Sequence, residues 1–158
     1  MPPILRAAEP SDLEPLISMW REFMDFHASH DPEFAIKAES ETIRRQFLTS
    51  KLAEPDTLVL IATLEKKAVG YAIGDIRSRP PVFALTRFGH IADLYVVPNQ
   101  QRSGLGSRML QECLSWFKAR GLGRVEVRTL SSNPISNSFW AKHGFIPFAQ
   151  ESVLQIGG

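Results

Sequence analysis

One cysteine, Cys113, in 158 residues leaves this chain without an internal disulfide or a cysteine-built metal cluster. No apolar run approaches the roughly 18 residues that a membrane-crossing helix needs. The first residues, Met1-Pro2-Pro3-Ile4-Leu5-Arg6, lack a basic segment followed by an apolar stretch, so no signal peptide is expected. An excess of one charge is missing too. Lys and Arg number 18 against 17 Asp and Glu, a formal net charge of +1, which argues against a nucleic-acid or membrane-surface partner held by bulk charge. His27, His30, Asp31 and Glu33 have ligand-like chemistry, but no companion ligands at a useful separation, and no metal is expected. These absences predict a soluble cytoplasmic protein. Tyrosine is also scarce, with Tyr71 and Tyr95 the only two.

What is present suits one domain spanning residues 1–158: 44% hydrophobic residues at this length can build a substantial core. Ile4–Ala8 reads as a strand. Ser11 or Asp12 caps a helix whose buried face carries Leu13, Leu16, Ile17, Trp20, Phe23 and Met24, and which ends near His30-Asp31-Pro32. A second helix is predicted from about Glu39 to Lys51, with Ile43, Phe47 and Leu48 inward. Thr57–Leu64 and Ala68–Arg77 form a hairpin around Glu65-Lys66-Lys67. After Arg79-Pro80-Pro81 comes the strand His90–Val97, then a helix from about Gly104 to Arg120 whose stripe is Met109, Leu110, Cys113, Leu114 and Phe117. Arg124–Leu130 alternates as a strand, Pro134–His143 is a short helix, and Phe145–Ile156 supplies one or two closing strands. The order gives a mixed sheet in an α/β or α+β layout.

The stretch Ile91–Gly106 carries the chemistry. A strand stops at Pro98, and a polar turn ends in Gly104-Leu105-Gly106 at a helix start. The first N–H groups of a helix lack internal partners and carry the positive end of its dipole. Two glycines let the backbone curl so that several N–H groups meet one phosphate, and Arg102 and Arg108 can add charge. The third glycine of a dinucleotide fingerprint and the Gly-Lys-Ser/Thr of a Walker loop are both absent. Following a strand, this turn predicts a ligand with a pyrophosphate.

Gln101-x-x-Gly104-x-Gly106 after Val-Pro resembles the pyrophosphate signature of the GNAT superfamily of acyl-CoA-dependent N-acetyltransferases. A second segment is similar to that family's Asn-x-x-Ala/Ser-x-x-aromatic-Tyr-x-Lys-x-Gly-Phe pattern. It contains Asn133, Ser136, Phe139, Trp140, Lys142, Gly144 and Phe145. The element order matches over essentially the whole chain. The resemblance implies a GNAT-like fold: a mixed, mostly antiparallel sheet of about six or seven strands, splayed between the fourth and fifth, with about four helices. It implies acetyl-CoA as co-substrate, an amine acceptor, direct transfer in a ternary complex and, dimers being common in the family, a homodimer. The pantetheine amides would meet the open edge at Leu94, Tyr95, Val96 and Val97, where a backbone N–H near Leu94 to Val96 would polarise the acetyl carbonyl. The pyrophosphate would lie on Gln101, Arg102, Ser103, Gly104, Leu105, Gly106 and Ser107. Asn133 would touch the CoA arm, cap the following helix, or do both. Ser136 and Trp140 would complete the cofactor side.

Amine transfer needs a free lone pair, so a base must take a proton from the ammonium. Asp93, in an otherwise apolar strand beside the expected thioester, is the candidate general base; the alternative is a carboxylate paired with an arginine. His90 is the runner-up. The family's usual tyrosine, which protonates the leaving thiolate, is replaced by Trp140, whose indole N–H is not a usable acid. Solvent can supply that proton, or Ser136 or His143 can relay one; a non-catalytic CoA-binding sensor or regulatory module is the alternative function. Cys113 lies on the buried helix stripe and reads as core. In the resembling family the acceptor meets the first two helices and the loop before the fourth strand. Here these hold Trp20, Phe23, Phe26, His27, Asp31 and Phe34, and residues 79–87. The same aromatics also fit a plain core.

Overall fold

Val59, Leu60, Ile61 and Ala62 are buried in succession, as are Val69 to Gly74 on the next strand. Such uninterrupted apolar runs belong to strands covered on both faces. In the computed structural model, which describes residues 1–157, these runs form the centre of a five-stranded sheet of order β1-β2-β3-β4-β5. The strands are β1 (Ile4–Ala7), β2 (Thr57–Leu64), β3 (Lys67–Ser78), β4 (Arg87–Val96) and β5 (Val125–Val127). All neighbouring pairs are antiparallel except β4 and β5, which run parallel. The chain divides into two compact units, Met1–Arg128 and Thr129–Gly158.

In the first unit, α1 (Leu13–His30) and α2 (Ser40–Ala53) cover one face of the sheet. Leu16, Ile17, Met19, Trp20 and Leu48 pack there against Val59, Ile61, Tyr71, Ile73 and Tyr95. The chain enters α1 through a 3₁₀ turn, Pro10–Asp12, held by the Asp12 carboxylate, which accepts the Glu9 N–H at 2.7 Å. Arg6 grips the same carboxylate through two nitrogens, at 2.7 and 2.9 Å. The other face receives α3 (Leu105–Ala119). Three glycines make room for it. A Cβ at Gly89 or Gly74 would stand 2.7 or 2.9 Å from the Phe117 ring, and one at Gly70 would stand 3.1 Å from the Met109 sulfur.

The expected helix boundaries hold to within a few residues, but α2 corrects the predicted inward set. Leu48 is fully buried, whereas Ile43 and Phe47 are exposed. Phe47 instead lies beneath the Arg44 guanidinium, 4.8 Å from its ring centre.

In the second unit, α4 (Pro134–Lys142) starts with a proline, which already lacks the N–H that a first turn cannot use. It ends before Gly144, in the left-handed region at φ 88°. Phe145 then packs edge-on against Trp140 at 5.1 Å. The closing strands expected over Phe145–Ile156 are absent, so the sheet has five strands among the described residues rather than six or seven. Pro147 has no N–H to give a ladder. Ile146, Phe148, Val153, Leu154 and Ile156 are exposed, so this apolar segment is not buried as a closing strand would be.

Candidate active site

The site grows from the way β4 leaves its neighbours. Against β5, only Gly89, His90 and Ile91 are in register, with Val125, Glu126 and Val127. Beyond Ile91 the outer edge of β4 is unpaired, so a splay opens between the two strands. Against β3 the pairing passes from Gly74↔Ile91 to Ile73↔Asp93, leaving Ala92 as an extra residue. Such a bulge bends its strand and increases the twist. It sits at the point where β4 and β5 part.

Which backbone groups face the splay follows from alternation. The Val97 N–H donates to the Val69 carbonyl at 3.0 Å, on the β3 side. The N–H groups of Tyr95 and Val97 therefore turn inward, and those of Leu94 and Val96 face the open edge. The Val96 carbonyl is taken, since Gln101 Nε2 donates to it at 2.9 Å and ties the loop back onto the strand. Of the four strand residues predicted to meet CoA, Leu94 and Val96 thus have edge groups to offer. Tyr95 instead contributes its side chain, whose hydroxyl donates to Glu22 Oε2 at 2.7 Å. Burial, with help from Glu22, pushes this phenol well above its ordinary range.

The loop after β4 turns sharply into α3. A 3₁₀ turn, Pro98–Gln100, is followed by Arg102 at φ 60° and Gly104 at φ 83°. Gly104 occupies the N-cap of α3, and a Cβ there would meet nothing within 4 Å. No side chain therefore stands at the start of the helix. Ser103 Oγ donates to the Gln100 carbonyl at 2.6 Å, which shapes the loop. Leu105 anchors it, with its side chain buried in the core. Arg102 stays exposed, whereas Arg108 donates to the Pro3 carbonyl at 3.0 Å.

The two candidate bases share one face. Gly74 and Gly89 turn toward Phe117 of α3, so Asp75 and His90, next in sequence to each, point to the opposite face. Asp93 lies on that face too, accepting on Oδ2 from the Tyr71 hydroxyl at 2.7 Å and from Arg44 Nη2 at 2.5 Å. Arg44 is stacked between Trp20, at 5.2 Å, and Phe47, and its Nε is buried with no partner. Burial, then the Asp93 charge, raises the Tyr71 phenol well above its usual value and keeps it protonated. His90 Nδ1 lies 3.0 Å from Asp75 Oδ1. Burial pushes the Asp75 carboxyl up, but hydrogen bonds from His90 and Arg77 outweigh it and leave the carboxyl below its ordinary range. Glu126, across from His90 on β5, is held by Arg79 and Arg124.

In the second unit, Asn133 Oδ1 accepts the Ser136 N–H at 3.1 Å, the helix-capping role. Trp140 Nε1 donates to Ser136 Oγ at 3.1 Å. Cys113 is fully buried, and burial raises its thiol to about 12, so it is core rather than nucleophile. Of the predicted acceptor aromatics, Trp20 and Phe23 belong to the core. Phe26 stays exposed, and His27 packs on Phe23 at 4.3 Å. Sequence reasoning missed Arg44 and Asp75 as neighbours of the two candidate bases. Arg44 carried no visible signal; Asp75, a charge inside an apolar strand, did.

Residues 16–145 match the Acetyltransferase (GNAT) family. The aminoglycoside N(6′)-acetyltransferase type 1 of Klebsiella aerogenes is 27% identical over 151 residues, covering 94% of this chain and 92% of its own. A mutant of the protein BH1408 from Bacillus halodurans superposes with a TM-score of 0.88 at 18% identity, over 97% of this chain and 99% of that one. AAC(6′)-Iy, solved with the bisubstrate analogue CoA-S-monomethyl-acetylneamine, gives 0.74 at 15% identity over 99% of both chains. With acetyl-CoA as its co-substrate, this chain belongs to the GNAT family of acetyltransferases.

Proposed function

We propose that the protein transfers the acetyl group of acetyl-CoA directly to a primary amine of a polycationic amino sugar of the aminoglycoside kind. Its CoA would be held on the Leu94 and Val96 edge and on the Gly104 loop. The observation that carries this reading is the splay itself: β4 is unpaired beyond Ile91 and runs straight into an open N-terminal helix cradle. The acceptor class rests on the relative from Klebsiella aerogenes, which spans nearly the same length. The pantetheine amides extend β4 as a strand would, and the pyrophosphate takes the N–H groups around Leu105 to Ser107. As the amine attacks, the thioester oxygen becomes an oxyanion beside the Leu94 or Val96 N–H. Asp93 and His90 are the two groups to which the ammonium can lose its proton.

Three further parts belong to this reading. Both units act as one domain, supported by a family match that runs through Arg128 and Thr129. The protein is cytoplasmic, supported by its single unpaired thiol. It is a homodimer, supported by the exposed apolar side chains of the C-terminal segment.

A second reading, a CoA-binding module without turnover, is favoured by Trp140, whose N–H is already spent on Ser136. The two separate in one assay. With acetyl-CoA and neamine, an acetyltransferase releases free thiol and yields neamine heavier by one acetyl group. CoA binding by calorimetry without thiol release from any amine supports the module, and absence of binding overturns both.

A further inference from the structure

We infer that His90 is the general base of this acetyltransferase and that Asp75 is the residue that positions it. This inference rests on the acetyl-transfer reading above. A carboxylate can only accept hydrogen bonds, so the contact between His90 Nδ1 and Asp75 Oδ1 at 3.0 Å places the ring hydrogen on Nδ1. The lone pair of the neutral ring is then on Nε2, which has no hydrogen-bond partner among the described residues and is not sealed from solvent. A base held by one nitrogen and open at the other has the arrangement that proton abstraction needs.

Place in the fold supports the same choice. His90 is in the last stretch of β4 still paired to β5, where the splay begins, on the face that also carries Asp93. From there the Leu94 edge is four residues further along the same strand. Asp93 is occupied differently. Tyr71 and Arg44 both bind its Oδ2, so this carboxylate is held in an ion pair with Arg44. The charged groups facing His90 come from both flanking strands: Asp75 and Arg77 on β3, and Glu126 on β5, which Arg124 and Arg79 both reach.

The step balances as follows. An ammonium proton passes to His90 Nε2, directly or through water, and the amine lone pair attacks the thioester carbonyl. The C–N bond forms and the C–S bond breaks. The proton in excess on the new amide nitrogen ends on the CoA sulfur, and the imidazolium returns its own to solvent.

Two measurements on the intact protein test this. With neamine and saturating acetyl-CoA, His90→Gln should lower kcat/KM at neutral pH on the order of a hundredfold. The rate should recover as pH rises and the amine deprotonates unaided, with acetyl-CoA affinity unchanged. Asp75→Ala should lose less, and Asp75→Glu should restore most of it. Imidazole nitrogen spectra of the native protein should show the Nδ1–H tautomer, with Nε2–H gaining in Asp75→Ala. A His90→Gln rate within threefold of native across the pH range overturns the assignment. So does an Nε2–H tautomer in the native protein. If native protein does not acetylate neamine, the acceptor reading fails, while the tautomer still decides the role of Asp75.

Discussion

His90 and Asp93 point to the same face of β4 although an odd number of positions separates them, because Ala92 is an extra residue opposite the Ile73–Gly74 step. In an unbroken strand that spacing would send them to opposite faces. The bulge therefore does two things at one point: it gathers both titratable side chains on the face of α1 and α2, and it bends β4 where β5 departs.

Deleting Ala92 tests the second role alone. Ile91 and Asp93 already pair with adjacent residues of β3, so the deletion heals the ladder and leaves every other side chain on its own face. The variant should fold, with a thermal midpoint no lower than native. The straightened strand should close the splay and weaken acetyl-CoA binding on the order of tenfold, about 1.4 kcal/mol. Calorimetric titration with acetyl-CoA checks it; unchanged affinity would show that the bulge does not shape the cleft.

Gly104 offers a second, separable test. Its φ of 83° strains any residue with a Cβ, yet the space in front is empty. Gly104→Val should cost about 1–2 kcal/mol of stability from backbone strain alone. Gly104→Asn should cost less, because Asn tolerates the left-handed region. Both should nevertheless bind acetyl-CoA far more weakly, since either Cβ enters the volume assigned to the pyrophosphate. Stability rescue in Asn without binding rescue is the expected pattern, read by thermal denaturation beside titration.

Gly89 tests packing on the opposite face. An added methyl would meet three Phe117 ring atoms between 2.7 and 2.9 Å, and that ring is fully buried. Gly89→Ala should lose about 1–3 kcal/mol by overpacking. Phe117→Leu in the same chain should recover part of it. Denaturant midpoints of the two single variants and the double variant decide.

Asp12 sets an acid limit on stability. Its hydrogen bonds from Arg6, against the cost of burial and with help from the Glu9 N–H, hold the carboxyl below its ordinary range in the folded state. A carboxyl depressed on folding stabilises above its unfolded pKa, and that contribution is lost as pH falls through the folded value. At neutral pH, Asp12→Asn should cost about 2 kcal/mol. The gap between native and variant should narrow steadily below about pH 4. Urea melts across pH 2–7 measure it, and a gap independent of pH would show that the carboxylate charge contributes nothing.

Much of this was legible in the sequence because local rules and tertiary demands agree there. Pro98, Gly104 and the stripe from Met109 to Phe117 announce a strand end, a tight turn and a helix with one buried face, and the structure has all three. The bulge at Ala92 was not legible, since an alanine in an apolar strand looks like any other strand residue until its partners are known. Ile43 and Phe47 mislead for a related reason. Periodicity marks a face without saying how wide the cover is, and α2 buries only Leu48 fully. The segment after Gly144 has strand-forming residues but stays outside the sheet, because strand propensity alone does not supply a ladder. Pairings far apart in sequence, Arg44 with Asp93 above all, leave no local trace.

That last pair is the most exacting test of how the face is built. Arg44 and Asp93 are each about six-sevenths buried at the side chain, and the Arg44 Nε has no partner. Removing one member of such a pair strands the other charge, at a cost of about 3–5 kcal/mol, whereas replacing both by apolar groups of similar size is close to neutral. Arg44→Met and Asp93→Leu should therefore each destabilise strongly, and the double variant should be more stable than either single one. Tyr71 keeps the double variant from full recovery, because its buried hydroxyl loses its acceptor on Asp93. Adding Tyr71→Phe should return the missing part. Denaturation midpoints across this series would give additive losses if the three side chains acted independently, and additivity would sink the view that they fold as one unit.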